Sequence, residues 1–184
     1  VITTGAHGGF DNPEVKEAKK KKIAVLAQGE AVGFFMKSLS NFGISVAGSH
    51  GKTTTTALLA TILSKNNLSP SYLVGTGGFN DGWLPGHLGK GKYFISEADE
   101  YVNEPKHDLT PKFLYQHPKM IILTNIEFDH PDQFSTINEV QAAFLKFAQN
   151  LPQDAILIAN GDSSKILEIL PKLSCRVVTY GSSP

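Results

Sequence analysis

The stretch VAGSHGKTTTT, Val46 to Thr56, runs from an apolar strand-like segment into four threonines across a turn holding two glycines. Glycine at Gly48 and Gly51 lets backbone N–H groups approach an anion closely. The start of a helix adds unsatisfied donors and the positive end of its dipole. Lys52 then suits a point charge on the outer phosphates of a nucleotide, and Thr53 a hydroxyl ligand for Mg²⁺. Threonines are poor helix-interior residues, but in a first turn they bond orphan N–H groups or phosphate oxygens. The stretch departs from the usual phosphate-loop pattern at one position, where the glycine expected five residues before the Gly51–Lys52 pair is Val46. The alternatives are a phosphate site of different build and a plain strand–helix turn. A lysine and a hydroxyl at the right offset, directly after an apolar strand, favour the site.

Outward from this turn the chain alternates strand-like and helix-like segments. Ile44–Gly48 reads as a buried strand and Thr53–Lys65 as the helix it feeds. Upstream, Asn12 is a plausible N-cap with Pro13 at the first helical position. Ile23–Ala27 reads as a short strand, and EAVGFFMKSLSNFG as an apolar-rich helix ended by Gly43. Downstream strands are expected in SYLVGT, KYFISE, KMIILTN, AILIAN and CRVVTY. SSKILEILP is expected to be helical. The clearest amphipathic helix is STINEVQAAFLKFAQNLP, where Thr136 and Glu139 have capping-box spacing and Ile137, Val140, Phe144, Phe147 and Leu151 share one face. Near-continuous apolar strands between helices predict an α/β fold with a mostly parallel sheet flanked by helices.

The 184 residues carry 17 basic and 17 acidic side chains, so bulk charge gives no support to a nucleic-acid or membrane-surface role. The basic run Lys16 to Lys22 reads as the solvated face of a helix. Cys175 is the only cysteine, which excludes an internal disulfide and suits a reducing cytoplasm; its apolar surroundings predict a buried structural thiol. No apolar run approaches the ~20 residues that span a bilayer. The opening VITTGAHGG lacks the charged region of a signal peptide and an initiator Met, and the chain is expected to be a fragment of a longer protein.

Two polar clusters strengthen the phosphate-site reading. Glu97, Asp99 and Glu100 fall at the C-terminal end of one strand; Asn125, Glu127, Asp129 and His130 follow another. Open α/β sheets bind ligands at that edge, and parallel strands would bring both clusters beside Lys52. Carboxylates next to a triphosphate are hard ligands suited to Mg²⁺.

In order and spacing, GSHGKTTTT, EADEY and TNIEFDH resemble the signature motifs of the Mur ligases, ATP-dependent amide-forming enzymes of peptidoglycan assembly. That family's phosphate loop is a short form, which would account for Val46. The resemblance implies a P-loop-type ATP-binding central domain at residues 44–184, preceded at 1–43 by the tail of a Rossmann-like domain that binds a UDP substrate. It implies ATP and Mg²⁺ as cofactors. The nucleotide contacts it assigns are Gly48, Ser49, His50, Gly51, Lys52, Thr53, Thr54 and Asn125. The catalytic residues are Lys52, Glu97 and His130, with Thr53 and Glu97 on a first Mg²⁺ and His130 on a second. Asn125 would order the loop or meet phosphate, and Asp129 would orient His130. His7 would lie near the UDP-sugar; His87, His107 and His117 are expected at the surface. Lys52 is expected to be exposed and to carry little packing energy.

The activity implied joins L-alanine to UDP-N-acetylmuramate through an acyl phosphate, with neither nucleic acid nor membrane as partner. His50 resembles this alanine-adding branch and its relative that recycles murein tripeptide. The long segment VNEPKHDLTPKFLYQHPK after EADEY, together with EFDH, looks closer to the tripeptide enzyme, whereas TTGAHGG has no counterpart there. Alanine addition is favoured. A reading from another class, a P-loop switch or regulator that forms no amide bond, shares Lys52 and Thr53. It does not need Glu97 and His130 beside the phosphates, and no N-K-x-D guanine-reading pattern is present.

Overall fold

The computed structural model describes residues 1–80 and 82–182, without the side chain of His7. Strand β1 (Ile2–Thr3) pairs in parallel with β2 (Leu26–Ala27), and between them lies helix α1 (Pro13–Lys20). Asn12 caps α1 by accepting from the Glu14 N–H at 2.8 Å, and Pro13 opens it. The lysines of α1 are solvated, as the charge run predicts. Helix α2 (Gln28–Leu39) follows, its first turn closed by Glu30, whose carboxylate accepts from the Ala27 N–H at 2.8 Å.

From there the chain builds one seven-stranded sheet. Its members are β3 (Phe42–Ala47), β4 (Ser71–Leu73), β5 (Gly86–His87), β6 (Tyr93–Ala98), and, after a two-stranded hairpin of β7 (Val102–Glu104) and β8 (Asp108–Pro111), β9 (Met120–Leu123), β10 (Ile156–Asn160) and β11 (Arg176–Tyr180). Their order is β11-β10-β9-β3-β6-β4-β5, with every pair parallel except β4–β5. Helices α3 (Lys52–Lys65), α4 (Ile137–Gln149) and the single turn α5 (Ser164–Leu167) make the connections. The predicted α/β class with a mostly parallel sheet holds.

Register positions the site. Val46 lies opposite Glu97 of β6 and Ile122 of β9, so β3, β6 and β9 end level with one another. The residues that follow those three ends share one edge of the sheet.

The larger core gathers Val140, Phe144 and Phe147 of α4 around Leu123, Leu157 and Phe113. Phe113 stacks on Phe147 at 4.6 Å between centroids and is fully buried. Burying one such ring contributes roughly 1.5–3 kcal/mol, enough to seat the short 3₁₀ turn Lys112–Tyr115 that has little propensity of its own. Thr136 caps α4 as expected, while Glu139 reaches one residue further back, to the Ser135 N–H at 2.7 Å. Cys175 packs against the same core, and burial pushes its thiol up.

Three local expectations change. Gly43 does not end α2: the helix stops at Leu39, and Gly43 lies inside β3 because a Cβ there would fall 2.6 Å from Met36. Ile23 is half exposed and outside any strand, so that strand shortens to β2. SSKILEILP gives one α turn and a 3₁₀ turn, since Pro171 cannot continue the helix.

Gly33 tests how tightly α2 is seated. Alanine raises helix propensity by up to ~1 kcal/mol over glycine, yet a Cβ on Gly33 would fall 2.1 Å from the Tyr115 carbonyl oxygen. Gly33→Ala is expected to destabilise by about 1–3 kcal/mol through overpacking. Urea unfolding checks this, and an unchanged or higher midpoint would show that the helix can shift.

Candidate functional site

The turn after β3 is built for close approach. Gly48 has φ +138° and Gly51 φ +83°, a region glycine enters without cost. A Cβ on Gly48 would fall 2.1 Å from the Thr124 hydroxyl. Val46, where the longer loop pattern places glycine, is fully buried in the middle strand of the sheet, so the loop begins later than that pattern assumes.

The residues after β9 hold this turn. Asn125 Oδ1 accepts from the His50 N–H at 2.8 Å, and its Nδ2 donates to His50 O at 3.1 Å. Thr124 Oγ1 donates to His50 O at 2.7 Å. Ser49 Oγ donates to Glu127 O at 3.0 Å and accepts from the Glu127 N–H at 2.9 Å. Asn125 thus orders the loop, and its side chain is engaged there. The first turn of α3, with Lys52, Thr53 and Thr54, keeps the orphan N–H groups of a helix start.

Lys52 is not the exposed residue its motif suggested. Its side chain is 15% exposed and that of Glu100 is 2% exposed. The ammonium donates to Gly48 O at 2.6 Å, to Ser49 O at 3.2 Å and to Glu100 Oε1 at 3.1 Å. Glu100 Oε2 lies 3.0 Å from the same nitrogen as an ionic contact but has no hydrogen-bond donor. Burial pushes the Glu100 carboxyl up, and Lys52 opposes that rise. One residue on, Thr53 Oγ1 donates to Glu97 Oε2 at 3.0 Å, while Glu97 Oε1 accepts from the Gly75 N–H.

His130 closes the third side. It adopts φ +59°, rare for a residue with a Cβ, and its N–H donates to Asp129 Oδ1 at 2.8 Å. Its Nδ1 lies 2.6 Å from the Tyr101 oxygen, and Nε2 lies 3.4 Å from Glu100 Oε1 and from Asp129 Oδ2. In the tautomer where Nδ1–H donates to Tyr101, the Nε2 lone pair faces those two carboxylates. Burial, then the nearby Asp132, Asp129 and Asp99, holds the Tyr101 phenol above its usual range. His50 lies outside, half exposed, 3.6 Å from Glu127 and 3.9 Å from Asp129.

The expected residues therefore converge by two routes: Glu97 through Thr53, and His130 through Glu100, which grips Lys52. Among the described residues no three His, Cys, Asp or Glu side chains form a ready metal cage. Sequence reading placed Glu100 in its cluster without a role and passed over Tyr101. The spacing of Glu97 and Glu100 was the available signal, but nothing in it showed which carboxylate would meet the lysine. His87, His107 and His117 are at the surface as expected, and the His7 side chain lies outside what is described.

A family model for the Mur ligase middle domain matches residues 46–184. The UDP-N-acetylmuramate--L-alanine ligase of Coxiella burnetii (strain Dugway 5J108-111) is 38% identical over 176 residues, which cover 95% of this chain and 36% of that protein. The chain thus spans little more than a third of this curated relative. Among solved structures, the UDP-N-acetylmuramate:L-alanyl-gamma-D-glutamyl-meso-diaminopimelate ligase from Neisseria meningitides aligns with TM-score 0.77 and 25% identity, covering 90% of this chain and 53% of that one. The UDP-N-acetylmuramate-alanine ligase from Thermotoga maritima shares the fold with TM-score 0.73 at 23% identity, covering 100% of this chain and 39% of that one.

Removing Lys52 would leave Glu100 buried without its cation, and breaking such a pair costs about 3–5 kcal/mol. Lys52→Ala is therefore expected to lower stability markedly, and adding Glu100→Gln to recover much of the loss. The single variant should also show a pH signature. The buried carboxyl binds a proton more tightly folded than unfolded, so stability falls as pH rises from the ordinary glutamate value of ~4.3 through the raised folded-state value. Thermal melts across pH check both points; a deficit that does not grow with pH would remove Glu100 as its cause.

Proposed function

The chain belongs to the Mur ligase family, and from that premise we propose that it carries the phosphate-handling core of an ATP-dependent ligase joining L-alanine to UDP-N-acetylmuramate. The observation that carries the reading is the pairing of Thr53 with Glu97 and of Lys52 with Glu100 across the ends of β3 and β6, with His130 adjoining the second pair. A plain strand–helix turn needs neither pair. The 38% identity to an alanine-adding ligase supports the choice of substrates. Residues 1–43 would belong to the UDP-substrate domain and 44–184 to the ATP domain.

In this reading an oxygen of the donor carboxylate attacks the γ-phosphorus, ADP departs and an acyl phosphate forms. The nitrogen of alanine then attacks the carbonyl carbon, the bond to phosphate breaks and the amine loses a proton. The chain's work is positioning and charge. Gly48, Ser49, His50 and Gly51 bring backbone N–H groups to the phosphates, and Lys52 exchanges Glu100 for the β- and γ-phosphate oxygens. Mg²⁺ takes few protein ligands and completes its shell with substrate phosphates and water, which matches a site without a ready cage. Thr53 and Glu97 would hold one ion, and His130, oriented by Tyr101 and Asp129, a second. When bound, these ions supply positive charge against the transferring phosphoryl group. No helix among the described residues is long and apolar enough to cross a membrane, and substrates drawn from the ATP pool suit a cytoplasmic enzyme.

A second acceptor, a murein tripeptide, is favoured by two observations: the hairpin Val102–Pro111 after EADEY and the likeness to the Neisseria enzyme. Phosphate release by the full-length enzyme, with UDP-N-acetylmuramate and ATP fixed and the amine varied, separates the two.

Two variants test the assignments in that assay. Lys52→Ala combined with Glu100→Gln, which removes the burial problem, should still lose about 100-fold or more in kcat; retained turnover would strip Lys52 of its role. Glu97→Gln should raise the Mg²⁺ concentration needed for half-activity by about 10–100-fold, and an unchanged titration would take Glu97 out of the ion's shell.

A further inference from the structure

Beside the phosphate cradle lies a cleft of about 150 Å³ walled by Lys52, Glu97, Asp99, Lys112, Gln28 and Gly29. A second cavity, of about 280 Å³, runs against the turn at Thr4, Gly5 and Ala6. Gln28 and Lys112 line both. Lys112 therefore stands where the N-terminal turn and the phosphate cradle meet.

Its place is fixed from several directions. The Lys112 N–H donates to Tyr101 O at 2.8 Å, and the next residue, buried Phe113, donates to Asp99 O at 3.0 Å. A Cβ on Gly29 would fall 3.0 Å from Lys112 Cα, so glycine there makes the room. The side chain is 18% exposed, and its ammonium donates to Asp99 Oδ2 at 2.7 Å. Asp99 is itself held, its Oδ1 accepting from the Tyr101 N–H at 3.0 Å.

Counting donors separates the two lysines of the cleft. An ammonium has three N–H groups. Lys52 directs its own to Gly48 O, Ser49 O and Glu100. Lys112 has one acceptor, Asp99, among the described residues. The cleft's carboxylates are likewise engaged, Glu97 by the Thr53 hydroxyl and the Gly75 N–H, Asp99 by Tyr101 and Lys112. An anion entering between the N-terminal turn and Lys52 thus finds one partly exposed cation with donors to spare.

We propose that Lys112 binds the carboxylate of the acyl donor and holds it for attack on the γ-phosphate, an inference that rests on the ligase reading above. The acid must reach the phosphoryl group that Lys52 would hold, and this cleft adjoins that lysine. The Asp99–Lys112 pair presets the ammonium before substrate arrives. A purely structural pair, tying the hairpin β7–β8 to the end of β6, is the competing account.

The test uses the full-length enzyme and two nucleotide sugars, UDP-N-acetylmuramate and UDP-N-acetylglucosamine, which lacks the lactyl carboxylate. Calorimetric binding is measured for wild type, Lys112→Gln and Lys112→Arg, with the KM for ATP as a control. Lys112→Gln should weaken binding of the acid by about 10-fold or more, as loss of a charged hydrogen bond does. Binding of UDP-N-acetylglucosamine and the KM for ATP should stay within about two-fold, and Lys112→Arg should restore most of the loss. Equal weakening of both sugars would establish the structural account and overturn the proposal, as would a wild type that does not prefer the acid. If the acid preference depends on Lys112 but no phosphate is released with any amine, the carboxylate site stands and the ligase reading falls. If the enzyme ligates and Lys112→Gln keeps its preference for the acid, the Lys112 assignment alone fails.

Discussion

Three parallel strands that end level with one another are the constraint on which the site depends. Val46 is opposite Glu97 on one side and Ile122 on the other, so the chain leaves β3, β6 and β9 at one height. Side-chain period in a strand is two, and a slip of one residue in either neighbour would turn Glu97 or the Thr124–Asn125 segment away from the turn that carries Lys52. Both faces of these strands are buried, and a slip would exchange them, setting Ser45 or Ser96 in the apolar cluster of Ile44 and Ile95 and away from the Gln116 amide oxygen that both hydroxyls bond. Core packing and site geometry are thus one requirement. The ladder places the polar groups, and the glycines at 48 and 51 let the backbone pass close enough to use them.

The Lys52–Glu100 pair shows what this arrangement does electrostatically. At 3 Å and an effective dielectric of about 20, two unit charges attract by about 5 kcal/mol. Burying each charge costs several kcal/mol, so the pair adds little net stability. Its consequence is positional. Glu100 holds the ammonium at the mouth of the turn, against the Gly48 and Ser49 carbonyls. The strained backbone at His130 belongs to the same economy of position: a left-handed residue costs about 1–3 kcal/mol, and the turn keeps it because Asp129, Gln133 and Phe134 bond around it.

Much of this was legible in the residues. Apolar runs of five or six bounded by helices specify a covered parallel sheet, and the sheet's polarity sends three polar clusters to one edge. What stayed hidden depended on tertiary contact. Gly43 looked like a helix stop because glycine commonly follows helices, but it serves β3 by making room for Met36. Lys52 looked exposed because its partner lies 48 positions away, at Glu100. Tyr101 carries no motif signal, since its role rests on a hydrogen bond to His130 across the cleft. The hairpin was visible only as extra length: its pairing is short and irregular, and its register shifts between Val102 and Glu104.

That hairpin touches both the start of α2 and the N-terminal turn. Asn103, fully buried, accepts from the Gly29 N–H at 2.9 Å and donates to Asp108 at 2.6 Å, fastening the insertion to the start of α2. A Cβ on Gly9 would fall 2.0 Å from Glu104 Oε1, and His107 and Lys106 both reach Asp11. The insertion therefore packs against the N-terminal turn with one strand and, through Lys112 just beyond the other, sets a cation in the cleft that Lys52 also lines. Shortening it would remove the contacts that hold Thr4–Ala6 beside the cleft and the backbone bond that fixes Lys112 at once. A segment that first reads as surplus between two motifs is thus the physical link between the N-terminal turn and the cleft beside Lys52.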